Sequence, residues 1–244
     1  MRLIHRRLIG ALRRSRPALP WAAGSLPGSS PLKALERHRG HRFIYRVDLV
    51  DAYAHVHHGR LAEAVADCLS LPVTEASRFL QDFFLAEVGL PQGAPASPEL
   101  FNLYCGRLLD PEVGKVCTRE GLALSRYLDD LIISGDHPIS RRVRGSIQSF
   151  VRAAGFRTHP RKTKKFDLLL GGPVTLLGVR VSLGGVSAPL RLVRRALVRL
   201  RTTRAIDPVA RGMVSSVLAI PDPCPSMGEK KQLMRLFRSL LGGF

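Results

Sequence analysis

Apolar residues recur at helical spacing in the first stretch of the chain. Leu3, Ile4, Leu8 and Leu12 fall on one side of residues 1–16, and arginines occupy most of the remaining positions. Apolar residues three or four positions apart line one face of a helix, so this spacing predicts a basic amphipathic helix. The prolines that follow are predicted to end it.

Helical spacing returns at several later points. The predicted helices cover residues 31–38, 60–85 with a break near Pro72, 97–108, 139–154, 190–200 and 230–241. Ser97 and Pro98 are predicted to start one of them, with the Ser97 hydroxyl as N-cap and the proline at the first helical position.

Short runs rich in β-branched and aromatic residues separate these helices. Residues 43–48 predict a strand that ends at Asp48, and residues 122–135 predict a hairpin with Asp129 and Asp130 at or next to its tip. Residues 174–181, together with Val186, predict a second small hairpin turned at Gly184-Gly185. Helices combined with small antiparallel sheets define an α+β fold.

Charge narrows the class of partner. The 244 residues include 38 Lys and Arg against 19 Asp and Glu, which gives a formal net charge of +19. Such an excess concentrates polyanions, so nucleic acid is the expected partner. With 45% hydrophobic residues the chain can bury a core. No apolar run approaches the ~20 residues of a membrane span, so no membrane association is predicted.

The cysteines do not suggest a metal or disulfide framework. Cys68, Cys105, Cys117 and Cys224 are widely spaced, without a C-x-x-C pair. A reducing, cytoplasmic location is therefore predicted.

Three acids stand out in a sequence otherwise poor in them. Asp48 closes one predicted strand, and Asp129-Asp130 lies on the hairpin. Carboxylates at adjoining strand ends can hold a pair of hard divalent cations, which prefer oxygen ligands. Two such ions can clamp the attacking and leaving oxygens of a phosphoryl transfer. An isolated Asp-Asp pair is also typical of an ordinary turn.

The sequence segments around these acids resemble the motifs of a known protein family. VDLVDAY at 47–53, LPQGAPASP at 90–98 and YLDD at 127–130 resemble motifs A, B and C of reverse transcriptases, in that order. Three further matches agree. Gly155-Phe156 with HPRKT at 159–163 resembles motif D, and LLG at 176–178 resembles motif E. Ala23-Gly24 with Gly28-Ser29-Ser30 and His38 resembles the approach to motif A in retron and group II intron enzymes. The resemblance covers residues 22–215. Leu128, His159 and residues 186–188 depart from the usual retron pattern.

The resemblance implies a right-hand polymerase fold. It predicts a reduced fingers element or basic N-terminal segment over residues 1–42, a palm over 43–185 and a short helical thumb-like segment over 186–244. Only 47 residues precede Asp48, too few for full fingers. A compact variant, a partner protein or RNA that supplies the missing surface, and a shortened reading frame are the alternatives.

The resemblance also implies a set of catalytic residues. Asp48, Asp129 and Asp130 would bind two Mg²⁺ ions, with Mn²⁺ as a substitute and the Leu49 carbonyl as an additional ligand. Lys162 matches the motif D lysine that protonates or neutralises the leaving pyrophosphate; a solvated phosphate-binding face is the alternative.

Further residues would contact the substrates. Tyr53 would be the steric gate against a ribose 2′-hydroxyl, or else a core aromatic. Leu49 and Tyr127 would also bind nucleotide or template, and the turn at Gln92 and Gly93 would face nucleotide and template. Arginines near the N-terminus and in residues 191–204 would hold the template–primer backbone.

The implied function is an RNA-directed DNA polymerase acting in a retron, a defence system or a mobile element. Its partners would be an RNA template, a DNA or RNA primer and deoxynucleoside triphosphates. Two alternatives stay open: a template-independent DNA polymerase of a phage-defence system, and a decayed, non-catalytic palm that binds nucleic acid. The Gln92-Gly93 turn favours copying, and the complete set of three acids disfavours decay.

Overall fold

A computed structural model describes residues 1–187, 190–203, 214 and 227–241. The chain forms two compact units, Met1–Asp167 and Leu168–Phe244. The predicted boundary after residue 42 lies within the first unit, because the first helix packs into the same core as the sheet. The division into fingers, palm and thumb stays a prediction.

The first unit combines helices with a four-stranded sheet. Its helices are α1 (Arg2–Ser15), α2 (Pro31–Glu36), α3 (His58–Leu69), α4 (Val73–Phe83), α5 (Ser97–Leu108), α6 (Asp110–Arg119) and α7 (Arg141–Ala153). Its strands are β1 (Phe43–Asp48), β2 (Ala123–Tyr127), β3 (Asp130–Gly135) and β4 (Lys164–Asp167). The predicted mixture of helices and small antiparallel sheets is confirmed.

The strands lie in the order β2-β3-β1-β4, and each neighbouring pair is antiparallel. Residues that face each other directly in such a pair project from the same side of the sheet. Asp48 at the end of β1 is paired with Asp130 at the start of β3. The register therefore brings the end of the first predicted strand to the tip of the predicted hairpin.

Helix α1 belongs to the core of this unit. Leu8 and Leu12 are buried, and burial of each such side chain contributes roughly 1.5–3 kcal/mol. Its arginines lie mostly on the exposed side, as the amphipathic spacing predicts. The buried face of α1 is what ties the basic N-terminal segment to the rest of the unit.

Three local features differ from the sequence predictions. Helix α6 and strand β4 were not predicted. The N-cap of α5 is Ala96, without a side-chain hydrogen bond, so the prediction of Ser97 as N-cap and Pro98 as first helical residue is wrong. The Ser97 hydroxyl instead donates to the carbonyl oxygen of Pro91 at 2.7 Å, which ties the helix to the loop before it.

The second unit contains β5 (Val174–Leu176), β6 (Val179–Ser182), β7 (Gly185–Ser187), α8 (Leu190–Thr203) and α9 (Met227–Leu241). Its strands form an antiparallel sheet in the order β5-β6-β7. A turn at Leu177-Gly178 divides the segment predicted as one strand, and Leu177 adopts a left-handed φ of 50° there. The unit thus has two hairpins where one was predicted.

Helices α8 and α9 pack against each other. In α8, Ala196, Leu197 and Leu200 are buried whereas Arg194 and Arg195 are exposed, in agreement with the predicted amphipathic pattern. The end of the predicted basic segment, beyond residue 203, lies outside the described residues. In the described part of the chain, no helix combines the length and apolar character that a membrane span needs.

Candidate active site

The acids identified from the sequence converge at one end of the four-stranded sheet. Asp48 is the last residue of β1, Asp129 lies in the turn between β2 and β3, and Asp130 is the first residue of β3. The amide of Leu49 donates to the carbonyl oxygen of Asp129 at 3.1 Å. This hydrogen bond joins the chain after β1 directly to the hairpin turn.

The turn that carries Asp129 has an unusual backbone. Leu128 has a φ of 55°, a left-handed conformation that is costly for a residue with a branched side chain. The buried guanidinium of Arg126 donates to the Leu128 carbonyl at 3.1 Å. A Cβ at Gly24 would lie 2.7 Å from the Leu128 amide nitrogen, so only glycine fits behind this turn.

A buried polar network holds Arg126 in turn. Its guanidinium forms a bidentate pair with Asp110 at 2.7 and 2.8 Å and donates to the side-chain oxygen of Asn102 at 3.0 Å. Asn102 donates to the carbonyl of Gly24 at 2.7 Å. The network therefore links α5 and α6 to the turn that presents Asp129 and to Gly24, which packs behind that turn.

Asp130 is engaged by an arginine that the sequence analysis did not single out. Arg46 donates to Asp130 through Nε at 2.7 Å and through Nη2 at 3.0 Å. The same Nη2 lies 3.6 Å from Oδ1 of Asp48. Arg46 precedes Asp48 by two residues, and side chains two positions apart in a strand lie on the same face. This strand periodicity could have indicated that Arg46 lies beside the acids.

The segment resembling motif D lies beside Asp48. The His159 amide donates to the Asp48 carbonyl at 2.7 Å, and the Lys162 ammonium is 3.4 Å from Oδ2 of Asp48. The Lys162 side chain remains 57% exposed. His159 Nδ1 is buried without a hydrogen-bond partner among the described residues. Lys162 and Asp48, both predicted as catalytic residues, therefore lie next to each other in the structure.

These groups border a cleft of about 760 Å³. Of the residues predicted to act on metal, nucleotide or template, it is lined by Asp48, Leu49, Tyr53, Gln92, Gly93, Asp129 and Lys162. Asp51, whose φ is 43°, and His159 line it as well. Of the predicted site residues, Asp130 and Tyr127 are not among those that line it. Tyr127 instead ends β2, paired with Asp130.

Helix α1 fastens the loop that carries Gln92 and Gly93. The Ala96 amide donates to Nδ1 of the buried His5 at 3.3 Å. Glu99, in the first turn of α5, is 2% exposed and forms ion pairs with Arg13 at 3.2 Å and Arg16 at 3.3 Å. The basic N-terminal helix thus anchors both the loop and the helix that follows it.

Tyr53 forms one wall of the cleft. Its ring stacks on Phe101, with the centroids 5.0 Å apart and the planes 20° from parallel. Burial, together with the negative charge of Asp129, raises the pKa of Tyr53 to about 12. The phenol therefore stays neutral, and its ring packs against α5 through Phe101.

The electrostatics of the acids favour a bound cation. Burial raises the pKa of Asp129, and the neighbouring charges of Asp130 and Asp48 raise it further, whereas Lys162 opposes the shift. Crowded carboxylates of this kind gain most from a divalent ion that prefers oxygen ligands. Asp48 and Asp129 in the cleft therefore fit a hard divalent cation.

The three acids do not form a ready-made three-ligand site. Within the described residues, no group of three His, Cys, Asp or Glu side chains is arranged to hold a metal ion. The two carboxylate oxygens of Asp130 accept hydrogen bonds from Arg46. The predicted triad is thus close together in the backbone, and one of its carboxylates is paired with an arginine.

Comparisons with known proteins agree with the motifs. Residues 2–181 match the family model described as "Reverse transcriptase (RNA-dependent DNA polymerase)". The chain is 33% identical over 205 residues to the retron Mx162 reverse transcriptase of Myxococcus xanthus, a match that covers 73% of this chain and 42% of that protein. It is 31% identical over 218 residues to the retron Mx65 reverse transcriptase of the same organism, covering 82% of this chain and 49% of that protein. The chain thus spans less than half the length of these relatives.

Solved structures agree on the fold. The chain resembles Candida tropicalis telomerase in complex with a fragment of telomeric RNA, with a TM-score of 0.59 at 11% identity over 100% of this chain and 47% of that one. Apo telomerase of the same organism, truncated from its C-terminal domain, gives a TM-score of 0.53 at 13% identity over 77% of this chain and 44% of that one. Identities this low speak for the fold alone. Because the family model spans most of its length, the chain belongs to the reverse transcriptase family.

Proposed function

We propose that this protein is an RNA-directed DNA polymerase that adds deoxynucleotides to the 3′-hydroxyl of a primer. The observation that carries the proposal is the meeting of Asp48 and Asp129 in one cleft with Tyr53, Gln92 and Gly93. The cleft thus combines acids, an aromatic ring and a glycine-containing turn. This combination fits phosphoryl transfer, in which the positioning of the substrates and the stabilisation of charge supply most of the catalysis.

Asp48 and Asp129, with the Leu49 carbonyl, would hold Mg²⁺, for which Mn²⁺ could substitute. When bound, a pair of such ions neutralises charge on the phosphates and activates the attacking hydroxyl. Asp130, which is paired with Asp48 across the strands but does not line the cleft, would be the third metal-binding acid. Lys162 would protonate the leaving pyrophosphate or neutralise its negative charge. Its ammonium group already lies at the edge of this cleft, next to Asp48.

Tyr53 and the Gln92-Gly93 turn would select the substrate. The stacked ring of Tyr53 would occupy the space that a ribose 2′-hydroxyl requires, which favours deoxynucleotides. Gly93 has a φ of 86° with no atom within 4 Å of an added Cβ, so the backbone there can approach a base pair. The Gln92 amide can hydrogen-bond in a groove.

A right-hand arrangement is part of the proposal, with palm, reduced fingers and a helical thumb formed by α8 and α9. Exposed arginines of α1 and α8 would hold the phosphates of an RNA template and of a DNA or RNA primer. The buried free thiols of Cys68, Cys105 and Cys117 suit a reducing, cytoplasmic setting.

Template-directed primer extension tests this function. The purified protein should extend a primer on an RNA template with deoxynucleotides, require a divalent cation, and yield the complementary sequence. Asp129→Asn should abolish extension. Random or homopolymeric product would instead indicate template-independent synthesis. Nucleic-acid binding that persists in chelator, without incorporation under any condition, would indicate a non-catalytic palm.

A further inference from the structure

His159 lines the cleft, and the proposed function does not use it. Its side chain is partly exposed, and Nδ1 is buried without a hydrogen-bond partner among the described residues. Because Nδ1 is covered, the ring borders the cleft with the side that carries Nε2. A polar group on the wall of a substrate cleft that lacks a partner within the described protein is available to a ligand.

The backbone around His159 is fixed, so the ring has a defined position. The His159 amide donates to the Asp48 carbonyl at 2.7 Å. The His159 carbonyl accepts hydrogen bonds from the amides of Lys162 at 3.3 Å and Thr163 at 2.9 Å. His159 and Lys162 are thus the first and fourth residues of one turn. This turn is hydrogen-bonded to the end of β1, and both side chains line the cleft.

The position of the ring proton follows from its surroundings. A neutral imidazole carries one N–H, on either Nδ1 or Nε2. A proton on Nδ1 of His159 would leave a buried donor without an acceptor, and buried N–H groups without a partner are rare. The favoured tautomer therefore places the proton on Nε2, on the side of the cleft. His159 thus offers the cleft a hydrogen-bond donor.

The phosphates of a nucleotide need such donors in this cleft. Three of the four Asp and Lys side chains that line it are acids, so a triphosphate brings more negative charge to a space that is already acidic. In the described part of the chain, the cleft-lining side chains with an N–H donor are Lys162, His159 and Gln92. Lys162 and His159 come from the same turn, whereas Gln92 lies on the loop before α5.

We propose that His159 binds the β- and γ-phosphates of the incoming nucleotide, and then the leaving pyrophosphate, through a hydrogen bond donated by Nε2. Its place in one turn with Lys162 brings both side chains to the same group. Lys162 would act in the chemical step, whereas His159 would act in binding. This inference rests on the proposed function, because it assigns a phosphate contact within the same cleft.

Two substitutions distinguish a contact through Nε2 from other roles of the ring. The amide nitrogen of glutamine can occupy the position of Nε2, whereas the shorter side chain of asparagine reaches only as far as Nδ1. His159→Gln should therefore keep the phosphate contact, and His159→Asn and His159→Ala should lose it. All three variants retain the backbone hydrogen bonds of the turn, because the amide and carbonyl of residue 159 are unchanged.

Single-turnover incorporation over a range of nucleotide concentrations gives the nucleotide dissociation constant and the maximum rate, and added pyrophosphate gives its inhibition constant. We expect His159→Asn and His159→Ala to raise the dissociation constant and the inhibition constant by about tenfold or more, the scale of one hydrogen bond to a charged group. The maximum rate should change by less than about threefold, because the contact acts in binding. His159→Gln should stay within about threefold of wild type in all three quantities.

Arg161→Gln provides the matched control. Arg161 lies in the same turn, but it is exposed and is not among the residues that line the cleft. At saturating primer and template, this variant should bind nucleotide and pyrophosphate like wild type. Thermal melts establish that each variant is folded. Equal behaviour of His159→Gln and His159→Asn, or weaker nucleotide binding with an unchanged pyrophosphate constant, would overturn the assignment.

The outcome separates this inference from the proposed function. Wild-type protein that extends a primer, combined with a His159→Asn variant that binds nucleotide and pyrophosphate equally well, overturns the role of His159 alone. Wild-type protein that incorporates no nucleotide under any condition overturns the proposed function and this inference together.

Discussion

The ammonium of Lys162 lies 3.4 Å from Oδ2 of Asp48, so a flexible cation rests on a proposed metal ligand at the edge of the cleft. Asp48 is buried, at 4% exposure, whereas Lys162 is largely exposed. The lysine can therefore move from the acid to an entering phosphate while the acid stays fixed.

Replacement of Lys162 should slow chemistry more than it weakens binding. We expect Lys162→Gln to lower the rate of nucleotide incorporation by about a hundredfold or more, because general acid catalysis contributes on this scale. The nucleotide KM should change far less. Lys165→Gln, in the exposed part of β4, is the control, and single-turnover incorporation is the measurement. Equal behaviour of the two variants would favour a mere phosphate-binding face.

Sugar discrimination should depend on the ring of Tyr53 and not on its hydroxyl. Tyr53→Phe keeps the stack on Phe101 and should retain wild-type preference for deoxynucleotides. Tyr53→Ala opens the wall and should reduce that preference by about tenfold or more. Competition between deoxynucleotides and ribonucleotides in primer extension measures the ratio. Unchanged preference in the alanine variant would mean that Tyr53 is only a core aromatic.

Gly24 should be essential to the turn that presents Asp129. A Cβ at Gly24 would lie 2.7 Å from both the amide nitrogen and Cγ of Leu128. Gly24→Ala should therefore cost about 1–3 kcal/mol of unfolding free energy and lower incorporation.

Gly145→Ala is the control for Gly24→Ala, because Gly145 lies in α7 with no atom within 4 Å of an added Cβ. This control should gain about 0.5–1 kcal/mol from helix propensity. Urea unfolding measures both effects. A Gly24 variant with full activity would contradict this account of the turn.

His38 should make the first unit sensitive to acid. Its ring nitrogens lie 2.8 and 2.7 Å from the hydroxyls of Ser125 and Ser134. Burial, then the charges of His41 and Arg37, lowers the pKa of His38 from 6.5 to about 3. The unfolded chain therefore binds a proton between these values and the folded chain does not.

This difference sets the direction of the pH effect. Stability from His38 is fully present above the unfolded pKa and falls as the pH drops below it, by ~2 kcal/mol near pH 5. Urea unfolding near neutral pH and near pH 5 should show a smaller fall for His38→Gln than for wild type. Exposed His137→Gln should behave like wild type. The same fall in all three proteins would show that His38 does not control the effect.

The sequence motifs indicated which segments meet, because each is a continuous run with a fixed local geometry. Asp48 at a strand end, Asp129 in a hairpin turn and Gly93 in a loop all follow from short patterns. That these residues meet in one cleft was predicted only from the family resemblance, because no local pattern sets the register that pairs Asp48 with Asp130.

The features that were missed depend on contacts with residues outside the helix or strand concerned. Ser97 was predicted to cap its own helix, but its hydroxyl bonds to Pro91 instead. Helix α6 begins directly after α5 and includes Gly114, which makes room for the indole of Trp21. Arg46 and Asp130 are 84 positions apart in the sequence. The only local sign of their pairing is that Arg46 lies two residues before Asp48, on the same face of β1.

The most direct test of the central claim is single-nucleotide incorporation on an RNA template by Asp48→Asn, Asp129→Asn and the double variant. The account predicts a loss of about a thousandfold or more for each single variant and little further loss in the double, because residues that act as one unit are not additive. Asp136→Asn, an exposed acid beyond β3, should match wild type. Incorporation at the wild-type rate by either single variant would contradict the claim that these two acids form the catalytic centre.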